Sequence, residues 1–324
     1  MLCKHPICTK DTGHVPVPCG QCLPCRINKR RVWTHRMMLE SSEHQSAVFL
    51  TLTYNDENLP KEFHNEKTGE VYRDFSVNPD HHKRFIKNLQ TDYKRKTGQS
   101  LSYYMCAEYG EKTQRPHYHY ALFGYPDCLT PPKPNAPFKQ CECKSCSYLH
   151  KLWGKGHIFL GKLEQHSAQY VAGYVTKKLT TINDYSRERL DGRHPEFGRM
   201  SRNPALGKTA VERFSRKIAP YIKDVCDIPS YLVHDGKKWP LGRYLRDVIK
   251  GELGFDEEEK TKSQIDRENH DKVLFMFKDK TLDDLQKKMI NNGLPDSALT
   301  LLNAQRVLQI EKQEEHKRIN KKGV

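Results

Sequence analysis

Long apolar runs are absent: no stretch of the 324 residues approaches the roughly 20 apolar positions that a membrane span requires. Met1-Leu2-Cys3-Lys4-His5 carries no apolar signal core, so the expected location is the cytosol in which the chain is made. A complete phosphate-binding loop is missing too. Gly207-Lys208-Thr209 has the form of its end, but Arg202 stands where the first glycine is needed, which argues against ATP hydrolysis. No internal repeat is present. Apolar residues make up only 36% of the chain, which suits one main core with solvated decoration better than two full domains.

Positive charge is abundant: 55 Lys and Arg against 40 Asp and Glu give a net charge of +15. Such a surface attracts polyanions, and phosphate neutralisation supplies most sequence-independent affinity for nucleic acid. The runs Arg26–Arg36 and Lys83–Lys96 are candidate DNA tracks. Tyr103, Tyr104 and Tyr120 are candidates for base stacking, against the alternative that they are core residues. The chain has eleven cysteines, which in a reducing compartment favours metal ligands or free thiols over disulfides. Cys19-x-x-Cys22-x-x-Cys25 has the spacing of a zinc site, with Cys3 as the fourth thiolate or Cys8 in its place. A second set, Cys141-x-Cys143-x-x-Cys146, would be completed by Cys128 or His150. Each cluster is expected to brace a loop that lacks its own core.

Along the chain, Asn28 to Glu43 predicts a helix, with Val32, Trp33, Met37 and Met38 available for a buried side and no regular element before about Cys25. Ala47–Tyr54 reads as a central strand, and a hairpin is expected around Thr68-Gly69. Asn78-Pro79-Asp80 opens a basic amphipathic helix over 80–96 with Phe85, Ile86, Leu89 and Tyr93 inward. Leu101–Glu108 and His117–Phe123 read as an antiparallel pair of strands. The prolines of 125–150 predict irregular structure, His157–Leu160 another strand, and Gln165–Leu179 a helix. Segments 208–224 and 240–252 read as helices, 255–270 as charged chain, and 280–320 as interrupted helices. The fold class is α+β, an antiparallel sheet flanked by helices. The division expected is a cysteine-rich zinc segment over 1–28, a main domain over 29–182 with an insertion at 125–156, and a basic, mostly helical region over 183–324.

The chemistry concentrates in two short segments. In Arg115-Pro116-His117-Tyr118-His119-Tyr120, alternate side chains of a strand share a face, so His117 and His119 point one way and Tyr118 the other. Glu108, at the end of the preceding strand, can reach that face. Two imidazoles and one carboxylate with open positions suit Mg²⁺ or Mn²⁺ when a phosphate completes the shell. The second segment is Tyr170-Val171-Ala172-Gly173-Tyr174-Val175-Thr176-Lys177-Lys178. Residues four apart on a helix stack one above the other, so both phenols can face one site. A phenol, with its usual pKa of about 10, can attack a phosphodiester when a metal, with Lys177 or Lys178 nearby, polarises the phosphate.

Together these segments resemble the HUH endonuclease superfamily, in which histidine–hydrophobe–histidine binds the metal and a downstream helix carries the tyrosine. The likeness extends to replication-initiation proteins of gokushovirus-type Microviridae phages. It is carried by Pro18-Cys19-Gly20-Gln21-Cys22-Leu23-Pro24-Cys25-Arg26, Phe49-Leu50-Thr51-Leu52-Thr53-Tyr54, Glu108-Tyr109-Gly110, the His117/His119 segment, the tyrosine segment and Met200-Ser201-Arg202-Asn203-Pro204. Ala205 departs from the glycine that follows in such proteins. The resemblance implies a ferredoxin- or RRM-like sheet. It also implies an enzyme of the bacterial host cytoplasm that nicks a plus-strand origin of single-stranded DNA. That enzyme stays linked to the 5′-phosphate through tyrosine and rejoins the strand, with host helicase and polymerase as partners. Two tyrosines would alternate in such a cycle, and spacing does not say which acts first. The alternatives are a relaxase or transposase of the same superfamily, or a non-catalytic zinc-dependent DNA-binding regulator.

Overall fold

The structure, a computed structural model, describes Cys3 and residues 18–64, 69–110, 113–129, 141–177, 192–223 and 228–255; for 64 and 174–177 it describes the backbone alone. In chain order the described elements begin with α1 (Leu23–Ser41), β1 (Ala47–Thr53), β2 (Phe63–His64), β3 (Val71–Tyr72), α2 (Pro79–Thr97), β4 (Ser102–Tyr109) and β5 (Pro116–Phe123). They continue with α3 (Lys144–Trp153), β6 (Ile158–Lys162), α4 (Gln165–Lys177), β7 (Phe197–Met200), α5 (Lys208–Ile218), β8 (Tyr231–His234), β9 (Lys237–Pro240) and α6 (Gly242–Leu253). The chain falls into two units: Met1–Lys29 with Ile222–Ile228 and Gly254–Val324, and Arg30–Tyr221 with Pro229–Leu253. Among the described residues no helix is long and apolar enough to cross a membrane.

The larger unit is built on a five-stranded sheet in the order β6-β1-β5-β4-β7, with every neighbouring pair antiparallel. β1 and β4 therefore run parallel with β5 between them, and α2 makes the crossover, the split β-α-β arrangement of ferredoxin-like folds. This is the α+β sheet with flanking helices that the sequence pattern predicts.

Alternation along the strands sorts side chains between two helical layers. On one face Val48, Leu50, Leu52, Met105, Tyr118, Tyr120, Leu122, Ile158 and Leu160 pack with Phe85, Ile86 and Leu89 of α2 and Leu149 and Trp153 of α3. Leu50, Leu52, Leu89, Leu122 and Leu149 are wholly buried there, each contributing about 1.5–3 kcal/mol. On the other face Ala47, Tyr104, Cys106, Ala121 and Phe123 meet Met37 of α1 and Ala168, Val171 and Ala172 of α4. β5 is covered on both sides, so its run of aromatic and apolar residues is that of a central strand.

Local signals fix α2 well. The Asn78 side chain accepts from the Asp80 N–H, Pro79 occupies the first turn, and Gly98 closes the helix in the left-handed conformation. The Tyr118 hydroxyl donates to Asn78 O and accepts from the Asn78 N–H, at 2.8 and 2.9 Å, tying β5 to that cap.

Several expectations need correction. α1 begins at Leu23 rather than Asn28, because Pro24 is tolerated in a first helical turn. A helix, α3, lies in a stretch expected to be irregular; it starts after the last proline of 125–150, and its Cys146, Leu149 and Trp153 recur at helical spacing on the core side. Arg36 is buried rather than part of a DNA track. Its Nε donates to Leu206 O at 2.9 Å, and its guanidinium lies over Trp33 and Tyr244. Tyr104 and Tyr120 are wholly buried core residues and cannot stack on bases, and Tyr103 is half-buried. By contrast Lys83, Arg84 and Lys87 on α2 are exposed. The β7 strand and the β8–β9 hairpin, which the pattern beyond 182 does not reveal, are four residues per strand. The hairpin expected at Thr68-Gly69 is the β2–β3 ribbon. Positions 256–324, with the charged stretch and interrupted helices expected there, lie outside the described residues.

One glycine holds β6 in register with β1. At Gly156, with φ of 149°, an added Cβ would lie 2.4 Å from both Asn55 N and Thr53 O. Both flanking residues bond across this point, Thr53 N to His157 O and Asn55 N to Lys155 O. Gly156→Ala is expected to cost about 2 kcal/mol or more in denaturant unfolding. Gly251→Ala, in open space on α6, is expected to be neutral or to stabilise by about 0.5–1 kcal/mol. Equal losses at both positions would contradict this account.

Candidate functional site

The register of the sheet builds the site row by row. Directly opposed residues in antiparallel strands point to the same face. Phe159, Thr51, His119 and Cys106 form one row across β6, β1, β5 and β4, and Thr53, His117 and Glu108 form the next. The face is the one covered in part by α1 and α4.

Glu108, 2% exposed, is the centre. Its Oε1 lies 2.9 Å from His117 Nε2 and 2.9 Å from His119 Nε2, while Oε2 is buried with no hydrogen-bond partner among the described residues. Burial pushes the carboxyl pKa up, but the hydrogen bonds from His117 and His119 outweigh it and hold Glu108 below its ordinary value. Burial also lowers the pKa of His119, against the raising effect of Glu108. The second nitrogen of each ring is engaged: His117 Nδ1 lies 3.0 Å from Arg115 O, and His119 Nδ1 lies 2.9 Å from Thr51 Oγ1. Donation from Nδ1 to Arg115 O leaves a neutral His117 with its Nε2 lone pair facing a carboxylate oxygen. Such a pair needs a proton or a cation between them.

The donor set fits a hard divalent ion. All three ligand atoms lie within 4.8 Å of one another. Adjacent ligands of an octahedral ion with bonds of 2.0–2.1 Å stand about 3 Å apart, close to the observed 2.9 Å contacts. The orphaned Oε2 supplies further coordinating capacity, and three protein ligands leave positions open.

Thr51 is a site residue that the sequence reading missed. Its only signal was strand alternation two residues after Phe49; the register that sets it opposite His119 is tertiary. Phe49 stacks on the His119 ring at 5.5 Å and 15°, confining it from the other side. Tyr170 lies edge-on to His119, with centroids 5.3 Å apart at 86°, and its ring is 42% exposed. The structure thus brings Glu108, His117, His119 and Tyr170 together. Tyr174 and Lys177 belong to α4, but their side chains, and all of Lys178, lie outside what is described.

Both cysteine clusters assemble. Cys3, Cys19, Cys22 and Cys25 bring their sulfurs within 4.8 Å of one another, as do Cys128, Cys141, Cys143 and Cys146; each set could hold a structural zinc. The sulfurs of Cys22 and Cys3 are 3.8 Å apart, and that of Cys128 lies 3.6–3.9 Å from its three neighbours. Tetrahedral Zn–S bonds of 2.3 Å place sulfurs about 3.8 Å apart. Cys8 lies outside the described residues, and Cys128, not His150, completes the second set. Burial pushes the Cys19 thiol up, but N–H groups of Cys22 and Gln21 bring it down to about 7. Burial likewise opposes, and the N–H groups of Cys146 and Leu129 achieve, a fall to about 6 at Cys143. Cys25 and Cys146 are pushed up by burial and by their sulfur neighbours. Four sulfurs this close cannot all be thiolates without a cation.

Two measurements test these centres. Thr51→Val removes the partner of His119 Nδ1 and is expected to weaken Mn²⁺ binding about tenfold or more by calorimetry; unchanged affinity would remove Thr51 from the site. Elemental analysis of the purified chain should find one zinc per cysteine cluster, with Cys143→Ser losing one of the two. A Cys143→Ser protein with undiminished zinc would show that the second cluster is not a zinc site.

Residues 47–179 match a family of replication-associated proteins, described by the name ORF2 among others. Replication-associated protein VP4 of Bdellovibrio phage phiMH2K is 29% identical over 248 residues, 75% of this chain and 70% of that protein. Replication-associated protein ORF2 of Spiroplasma virus 4 is 35% identical over 196 residues, 59% of this chain and 56% of that protein. Replication-associated protein ORF4 of Chlamydia phage 1 is 22% identical over 246 residues, 75% of this chain and 56% of that protein. The match thus spans little more than half the length of the latter two. No solved structure matches the chain. Through the domain at 47–179 the chain belongs with the phage replication-associated proteins.

Proposed function

We propose that this chain is a metal-dependent DNA-nicking and strand-joining endonuclease of the HUH type that initiates rolling-circle replication of a single-stranded phage genome. The observation that carries the reading is Tyr170 against His119, on the open side of a triad of Glu108, His117 and His119. A zinc-dependent regulator without catalysis would leave that juxtaposition, and the orphaned Glu108 Oε2, without a role. The phage replication-associated proteins to which the chain is similar support the setting.

The chemistry supplied by a bound Mg²⁺ or Mn²⁺ is polarisation of the scissile phosphate. Glu108, His117 and His119 hold the ion, and Thr51 and Phe49 fix His119. The Tyr170 hydroxyl attacks phosphorus in line; the new O–P bond forms as the P–O3′ bond breaks. The phenolic proton leaves to solvent, and the departing 3′-oxygen takes up a proton. The DNA 5′-phosphate is then held on tyrosine, and the free 3′-hydroxyl primes a host polymerase. Attack by a 3′-hydroxyl on that phosphotyrosine reverses the step and rejoins the strand. Tyr174, one turn along α4, is the second nucleophile, and Lys177 and Lys178 add positive charge for the phosphate. Without a phosphate-binding loop, unwinding falls to a host helicase.

The test is incubation of the full chain with single-stranded phage origin DNA and Mn²⁺, followed by SDS gel electrophoresis. A covalent adduct is expected, dependent on the added metal. Tyr170→Phe combined with Tyr174→Phe should reduce it by at least about 1,000-fold, and Glu108→Ala should have a comparable effect. An adduct that persists in the double variant would disprove the nucleophile assignment. Mapping the tyrosine-linked peptide in each single variant establishes which phenol acts first.

A further inference from the structure

A cleft of about 570 Å³ opens beside the triad, lined by Arg30, Phe49, His119, His166, Tyr170 and Gly173 among others. That volume lies within the ~300–1,000 Å³ of small-ligand sites. Arg30 comes from α1, the rest from β1, β5 and α4. Gly173 is three residues after Tyr170, so it lies one turn along the same side of α4. A Cβ on Gly173 would stand 3.4 Å from Arg30 Cδ. The aliphatic shaft of Arg30 therefore crosses α4 beside the phenol, and any larger residue at 173 would press on it.

Arg30 makes no ion pair among the described residues, whereas Arg36, two turns on along α1, is buried and bonded to Leu206 O. A half-buried guanidinium with no carboxylate partner among those residues, facing a cleft that also contains a metal-ligand histidine, is a phosphate receptor by charge and geometry.

The apolar side of the cleft is aromatic. Phe49 meets Tyr170 edge-on at 6.1 Å and Phe159 edge-on at 6.4 Å. The ring of Phe159 is 38% exposed although it sits on the same sheet face as His119. A Cβ on Gly161 would approach its Cε1 to 3.1 Å, so the glycine makes room for the ring to lie along the sheet. An exposed phenyl ring flat beside a cation-lined cleft is a stacking platform for a nucleobase.

We propose that this cleft seats one nucleotide of single-stranded DNA next to the cut, with its phosphate on Arg30 and its base on Phe159. The proposal rests on the nicking reading for what happens there, but the binding it describes is measurable without any cutting. Arg30 and Phe159 are positioning residues, acting on where the scissile phosphate lies relative to Tyr170. Arginine suits the role better than lysine because its planar fork fixes two phosphate oxygens at once.

The experiment is fluorescence anisotropy of the zinc-loaded full chain with a labelled single-stranded origin oligonucleotide. It is carried out in a Tyr170→Phe, Tyr174→Phe background that prevents cutting. Arg30→Ala is expected to weaken binding roughly tenfold, the loss of one charge-assisted contact. It should also lower the slope of log affinity against log salt by about 0.7, one phosphate on a single strand. Arg30→Lys should keep the slope and recover only part of the affinity, which a misfolded protein would not do. Phe159→Ala should weaken binding roughly fivefold or more, and this loss should vanish when one particular nucleotide is made abasic. Wild-type affinity and salt slope in Arg30→Ala, or a Phe159→Ala loss independent of every abasic position, would overturn the proposal. If these effects appear while the unmodified chain forms no adduct, the seat stands and the nicking reading falls. An adduct formed normally by Arg30→Ala and Phe159→Ala chains would spare the nicking reading and remove the seat.

Discussion

A carboxylate buried at the β4–β5 pairing governs the arrangement around it. Taking an ion out of water costs several kcal/mol even after relaxation, so Glu108 can be ionised there only with compensating partners. The two imidazoles opposite supply them through one oxygen, and the other oxygen is left to a cation. A slip of one residue in the pairing would turn His117 and His119 to the opposite face and strand the charge. Register, local electrostatics and capacity for metal are thus a single requirement.

The two faces of the sheet divide the labour. One is sealed by α2 and α3, and its buried tyrosines serve structure: the Tyr118 hydroxyl ties the strand to the cap of α2, and the Tyr120 hydroxyl bonds His82 Nδ1 at 2.8 Å. The other face is covered by α1 and α4 only over its apolar rows. Where small residues replace large ones, at Gly161 and Gly173, side chains from neighbouring elements turn toward the triad rather than over it. The alternation of every strand means that the residues between the metal ligands, such as Tyr118, are core by necessity, which makes the central position of the His-x-His segment hydrophobic.

The cysteine clusters answer a different need. Each gathers four sulfurs from segments poor in apolar residues, and each shows the proton sharing expected of crowded thiols. A tetrahedral ion would replace that sharing with bonds and hold together chain that hydrophobic burial does not. In the second set Cys146 also belongs to α3, so the cluster is joined to the main core through a helix that the sequence pattern did not announce.

The sequence by itself determined whatever depends on spacing along the chain. Strand alternation put His117 and His119 on one face, a short link brought Glu108 beside them, capping residues located α2, and cysteine spacing picked out both clusters. These are local periodicities, fixed by backbone geometry within a few residues. Tertiary structure decided whatever depends on which strand lies beside which. It set Thr51 against His119, laid Phe159 and Arg30 beside the cleft, buried Arg36 and Tyr104 where charge and aromaticity suggested contact with DNA, and closed the sheet with the four-residue strand β7. Neighbours across a sheet can be separated by any length of chain, and their pairing is chosen by the burial of the whole assembly. No periodicity within one segment carries that information.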